Sequence, residues 1–216
     1  MKNYISKEPY ILSINKQNKI HETKNKKRNK KERNKKERNK KERTNKQEFS
    51  PLSGAEHNYK PELWNTESNI KHSHNCYSYA LGKIVSGLKS KAQPGFASGF
   101  SYFDNANFTC KDFKKRLEKD SPGSYIESFD NKCLPGFYKI FLALDRKEDY
   151  HWWRQDSNKY WSHKPGSTEV SDKDGSDRKI KNPLLSNRNF KHREYQTPCF
   201  FACVNSDLSR SLDEIY

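Results

Sequence analysis

The sequence predicts an α+β domain, one helix followed by antiparallel strands, carried behind a long basic tail. Three observations lead there. Apolar side chains recur at helical spacing in NCYSYALGKIVSGL at 75–88. Two dense apolar runs, FYKIFLAL at 137–144 and YQTPCFFACV at 195–204, come only after it. Before about Phe49 neither pattern exists. Helix first and strands after is the order of an α+β chain, not of an alternating α/β one. With 31% hydrophobic residues and a mean hydropathy of -1.25 over 216 residues, one modest core is expected.

The tail comes first along the chain. Residues 16–48 hold sixteen Lys or Arg against five Glu, so this segment carries most of the formal net charge of +16. NKKER occurs three times in succession, at 29–33, 34–38 and 39–43. A five-residue period matches neither a heptad nor a packed repeat, and the segment has no apolar face to bury against the entropy of ordering it. It reads as a disordered segment or a solvated helix helped by Lys/Glu pairs. Its cations, Lys26, Lys27, Arg28, Lys30, Lys31, Arg33, Lys35, Lys36, Arg38, Lys40, Lys41 and Arg43, suit a sequence-independent tether to nucleic acid or another polyanion. Nuclear import and a purely solvated tail are the other readings. No aromatics interleave with the charges, which argues against base stacking there. No secretory signal and no run of about 18 apolar residues is found, so an intracellular protein with no transmembrane segment is expected. The expected organisation is a tail at 1–48, a folded domain at 49–206 and a short tail at 207–216.

Within the folded domain, Gly82 is the weak point of helix 75–88. Thr109 can cap a second helix at 111–120, which stops before the Ser-Pro-Gly turn at 121–123. The strand at 137–144 opens after Pro135-Gly136 and closes in the charged turn DRKED. HWWRQ and KYWSH then form a hairpin. The last strand, 195–204, contains Pro198, which belongs at an edge or an early position.

Five cysteines without a secretory signal suggest free thiols in a reducing compartment. Cys199 and Cys203, four apart in a strand, should share one face as core packing. Cys76 differs, because a thiol at a helix start is stabilised as thiolate by the free amides and the dipole. A cysteine nucleophile needs a base and a group to orient it. His151 and His163, twelve residues apart, fall on one face of the hairpin only if Ser157, Asn158 and Lys159 make a three-residue loop with Asp156 opposite Tyr160. That loop asks for a left-handed residue near Lys159. His72, His74 and Cys76 offer a zinc alternative, but HxHxC lacks the paired spacing of zinc sites, and no metal is expected. Asp156 is a rival orienting group, placed instead at the turn tip.

A cysteine opening a helix, a histidine opening a strand and a second histidine twelve residues on resemble the Cys-His-His arrangement of NlpC-like peptidases in the papain-like superfamily. NCYSYA, AQPG at 92–95, DYHWWRQDSNKYWSHKPG and CFFACV are also similar to a set of small proteins of bacteria and large DNA viruses. The resemblance covers about 74–163. It implies a papain-like fold, with Cys76 as nucleophile, His151 as base and His163 as the orienting residue. The aspartate that often precedes the NlpC cysteine is Asn75 here, and Tyr59 is the candidate for the tyrosine of the oxyanion hole. The implied reaction is acyl transfer. A Cys76 thiolate paired with protonated His151 attacks a peptide, amide or ester carbonyl, with Asn75, Trp152, Trp153, Arg154 and Lys164 toward the substrate and no cofactor. The alternative is a papain-like scaffold without chemistry, acting as a viral or nucleic-acid-associated binding protein through its tail.

Overall fold

The computed structural model describes Arg28 and residues 30–33, 48–88, 90–104, 108–145 and 148–210. The chain divides into two units, Met1–Gln47 and Glu48–Tyr216. In the first, Arg28 and residues 30–33 are helical and exposed, and Arg28 Nε lies 3.6 Å from Glu32 Oε1, one helical turn away. Of the tail cations, Lys26, Lys27, Lys35, Lys36, Arg38, Lys40, Lys41 and Arg43 lie outside the described residues.

The second unit is α+β. Short helices at Glu62–Asn65, Ser68–Ser73 and Cys76–Ala80 and an eleven-residue helix at Cys110–Asp120 precede the strands β1 (Tyr125–Glu127), β2 (Tyr138–Asp145), β3 (Asp149–Gln155), β4 (Trp161–Ser162), β5 (Asn189–Phe190), β6 (Arg193–Glu194) and β7 (Thr197–Val204). Five of them form an antiparallel sheet in the order β1-β7-β2-β3-β4, and β5 and β6 make a separate ribbon. β2 is central and buried along its whole length, which is why Ile140–Leu144 read as a continuous apolar run instead of an alternating one.

Alternation sorts the sheet into two faces. Tyr138, Ile140, Leu142, Leu144, Trp152, Ala202 and Val204 face Tyr77, Ala80 and Leu81 of helix 76–80 and its C-cap and Phe113 and Leu117 of helix 110–120. Phe141, Ala143, Trp153 and Phe201 point the other way, onto Phe129, Trp161, Ile180 and Tyr195. Thr109 caps helix 110–120, its Oγ1 accepting from Asp112 N at 3.2 Å.

The hairpin folds as its loop length requires. Arg154 pairs with Ser162 and Gln155 with Trp161, so Asp156 stands opposite Tyr160 across a three-residue loop, and Lys159 takes the left-handed conformation at φ 74°. Among the described residues no helix is long and apolar enough to cross a membrane.

Three expectations are corrected. The helix predicted over 75–88 ends after Ala80, since Gly82, at φ +65°, donates to Tyr79 O and Lys83 N donates to Ser78 O in a Schellman stop. Cys199 and Cys203 do not share a face. Leu142 pairs with Phe200 but Ala143 with Pro198, so Cys199 is the extra residue of a bulge and the alternation resets there. Four of the five cysteines are not free: Cys110 is bonded to Cys199 and Cys133 to Cys203, with Cα–Cα distances of 5.3 and 5.8 Å. Cys199 turns toward the Cys110 end of the helix, while Cys203 faces the opposite layer and the loop bearing Cys133. Cys76 alone remains a thiol.

Candidate functional site: a histidine pair beside a buried thiol

β3 organises the candidate site. Its odd residues His151 and Trp153 share a face with His163, which follows β4 and forms an antiparallel bridge to Ser171. The two imidazoles meet, with His151 Nε2 at 2.7 Å from His163 Nδ1. His151 stacks on Tyr195 at 4.9 Å between ring centres. The far nitrogen of His163, Nε2, lies 2.9 Å from the Lys173 carbonyl oxygen.

That carbonyl fixes the protons of both rings. A carbonyl only accepts, so His163 Nε2 carries hydrogen. Neutral His163 then offers Nδ1 as a lone pair, to which His151 Nε2–H donates. Neutral His151 is left with an unprotonated Nδ1, the basic nitrogen of the pair; the protons are assigned from the hydrogen-bond network. Both rings are neutral at ordinary pH. Burial pulls His163 down to about 4, against the opposing pull of the Lys173 carbonyl and Asp172. Burial, with His163 as neighbour, holds His151 well below the usual histidine range.

Cys76 approaches the same strand from its side. β4 pairs with β3 only at Arg154 and Gln155, so the β3 edge at Tyr150–Trp152 is left without a strand partner on that side. The start of helix 76–80 fills the gap. Sγ lies 3.9 Å from the Tyr150 carbonyl oxygen and receives the Trp152 amide, two groups that flank His151 on one edge. Asn75 caps this helix in a reciprocal box with Ser78 and donates Nδ2 to Ala92 O at 2.7 Å.

Thiol and histidine pair thus converge on one three-residue stretch of β3, but they do not line one open cleft. Sγ packs with Tyr150 and Trp152, the imidazoles on the other face with Trp153 and Tyr195. No hydrogen bond joins Sγ to either ring. Cys76, His151 and His163 are 5%, 2% and 1% exposed. The expected resting thiolate–imidazolium pair is corrected too: burial pushes the Cys76 thiol up to about 12, with the Trp152, Cys76 and Tyr77 amides only partly offsetting it. Both partners rest neutral.

The side chains expected to hold substrate are occupied. Trp152 and Trp153 are wholly buried, one in each layer of the core. Arg154 is buried and donates to Asp156 Oδ1 from Nε at 3.1 Å and from Nη2 at 3.0 Å, and to the Tyr79 hydroxyl and carbonyl. Asp156 also accepts from Ser162 Oγ, so it belongs to a buried polar network and is more than a turn-former. Lys164 is buried, and its Nζ donates to the carbonyls of Lys71, Gly166 and Thr168 at 2.7, 2.9 and 3.0 Å. With its three hydrogens used, it has none for an acidic substrate. Asn75 is the helix cap. Tyr59 packs with Trp64, Tyr79 and Val170, in a cluster that does not include Cys76. His74 uses both nitrogens, Nδ1 toward Ile70 O and Nε2 from Val85 N, and among the described residues no three metal-ligating side chains gather.

Two residues beside the thiol escaped the sequence reading. Tyr150 packs on Cys76, and its hydroxyl donates to Gln93 Oε1 at 2.7 Å. Both lie in motifs of the sequence, Gln93 in AQPG and Tyr150 in DYHWWRQDSNKYWSHKPG, and that was the available signal. A cleft of about 530 Å³, lined in part by Lys71, Glu169, Ser171, Lys173 and Phe190, reaches His163 from solvent.

No protein-family model matches the chain, and no solved structure matches it. It is 35% identical over 130 residues to insoluble matrix shell protein 1 of Ruditapes philippinarum, an alignment covering 60% of this chain and 80% of that protein. The chain therefore belongs to the family of insoluble matrix shell protein 1.

Proposed function

We propose that the chain is a cysteine-dependent acyl hydrolase of papain-like, NlpC-type design, acting on a peptide, amide or ester bond. One observation carries this reading: the Lys173 carbonyl, His163 and His151 form a relay that leaves a basic Nδ1 on the very strand residue whose edge holds Cys76 Sγ. Starting from the neutral resting state, Sγ must turn round the β3 edge from its own layer to reach His151 Nδ1, which then takes the thiol proton as Sγ attacks the carbonyl carbon. The new imidazolium strengthens its hydrogen bond to His163, and the tetrahedral oxyanion takes the Cys76 amide. Collapse of the intermediate sends the proton to the leaving amine or alcohol. Water, deprotonated by the same nitrogen, then cleaves the thioester and restores the thiol.

A panel of fluorogenic peptides and aryl esters tests the reading on the full chain. Turnover is expected to fall to background in Cys76→Ala and by roughly a hundredfold or more in His151→Ala. Turnover that survives Cys76→Ala overturns it.

A second reading is favoured by the near-complete burial of all three residues and by the two disulfides: a braced scaffold that binds and assembles without chemistry. The relative is named for an insoluble shell matrix. By that likeness this chain would be a matrix component in an oxidising compartment, with the basic tail engaging a polyanion. Absence of turnover on the whole panel, with salt-sensitive polyanion binding that is lost when residues 1–48 are removed, supports this second reading.

A further inference from the structure

Sγ of Cys76 lies in a seam between helix 76–80 and β3, and one segment bridges both walls of that seam. On the helix side Asn75 Nδ2 donates to Ala92 O at 2.7 Å; on the strand side the Tyr150 hydroxyl donates to Gln93 Oε1 at 2.7 Å. Ala92 is buried in the same cluster as Cys76 and Tyr150. Residues 91–95 are therefore stitched to the neighbours of the thiol on either side.

The downstream end of this segment is held fast. Downstream, Gly95 N donates to Asp120 Oδ2 at 2.5 Å and Arg116 Nη1 donates to Pro94 O at 3.1 Å. Gly95 sits at φ +90°, and a Cβ there would lie 2.9 Å from Arg116 Cγ, so this end is fixed in a conformation that needs glycine. Upstream, Ser86, Gly87 and Lys91 are exposed. When the two stitches at its middle open, the segment can lift from the seam while Gly95 stays in place.

We propose that residues 91–95 are a strap closing the approach to Cys76, and that the Tyr150–Gln93 hydrogen bond is its latch. The latch joins the strap to the residue immediately before His151, so opening it frees the thiol without disturbing the histidine relay on the other face of the sheet. Gln93 and Tyr150 thereby gain a role that the acyl-transfer steps do not give them. The purpose of the strap rests on reading Cys76 as a nucleophile; its mechanics do not.

The test is alkylation of Cys76 by iodoacetamide in the full, unreduced chain, followed by mass spectrometry of the peptide that contains it. Loss of the latch in Gln93→Ala is expected to speed alkylation about fivefold to tenfold, the effect of one internal hydrogen bond on an opening equilibrium, and Tyr150→Phe, which also removes the hydroxyl's contact with Asn75, at least as much. Gln93→Glu, which keeps an acceptor for the Tyr150 hydroxyl, is expected to stay near the parent rate. Equal rates in all four proteins overturn the proposal, and so does acceleration that merely follows global opening, measured by hydrogen exchange of the β2 amides. Fast alkylation in the latch variants with no turnover and no dependence on His151 leaves the strap standing and removes the hydrolase. Turnover that needs Cys76, with alkylation indifferent to Gln93 and Tyr150, does the reverse.

Discussion

The Lys173 carbonyl, a group with no side-chain identity, decides the protonation of two histidines twelve residues apart. Removing His163 strands the Nε2–H of a buried His151, so His163→Ala is expected to cost about 1–3 kcal/mol of stability on top of its effect on turnover. Nitrogen chemical shifts of the imidazoles should show His151 protonated on Nε2 and bare on Nδ1; the opposite tautomer would remove the base from the proposed reaction. The pair also dictates acid sensitivity. Both rings take up protons more readily in the unfolded chain, near the ordinary 6.5, than in the folded one, where His163 titrates at about 4. Their stabilisation is complete above 6.5 and is lost as pH falls toward 4, by up to about 3 kcal/mol for His163 alone. Urea midpoints at pH 7 and pH 5 measure it, and a midpoint independent of pH over that window contradicts the buried neutral pair. The histidine pairing was legible from the twelve-residue spacing and the loop count. The burial of the thiol was not, because it depends on Ala92 and Tyr150, distant in sequence, joining Cys76 in one cluster.

Among the elements, the hairpin was the most readable, since loop length and alternation fix register in steps of one residue and a slip would have thrown the histidines to opposite faces. Lys159 holds the costly position, at φ 74° without being glycine. Lys159→Gly is expected to raise stability by up to about 1 kcal/mol, the relief of the left-handed strain less the entropy glycine adds to the unfolded chain. A thermal melt unchanged or lowered would show that the loop carries no strain. Helix 76–80 was over-read by eight residues, because helical spacing continues through Ile84, Val85 and Leu88 although Gly82 has already turned the chain. Those later side chains serve the loop instead: Val85 packs against the core and its amide donates to His74 Nε2. A Cβ on Gly82 would meet His57 Nε2 at 2.5 Å as well as the left-handed φ. Gly82→Ala should therefore destabilise by about 1–3 kcal/mol in denaturant unfolding.

For the molecule as a whole, the disulfides tie together what the helices leave loose. Cys110–Cys199 joins the long helix to β7 over a separation of 89 residues, and Cys133–Cys203 joins the loop before β2 to the same strand over 70. Reduction is expected to lower stability by about 2–5 kcal/mol for each bridge lost. Thiol counting on the folded, unreduced chain should find one cysteine, reactive only slowly; five reactive thiols would refute both bridges. Composition and pattern alone reach this far: a low apolar content with lysine and glutamate repeats separates a basic tail from a single core, a 3.6-residue period assigns the long helix, a dense apolar run the central strand, and loop length with alternation the hairpin. Those properties are local, so a one-dimensional reading reaches them. The disulfide partners, the bulge that turns Cys199 from the face of Cys203, and the meeting of Cys76 with the free edge of β3 all join residues at least 55 positions apart. Local propensity is silent about such contacts, and only the burial of two sheet faces decided them.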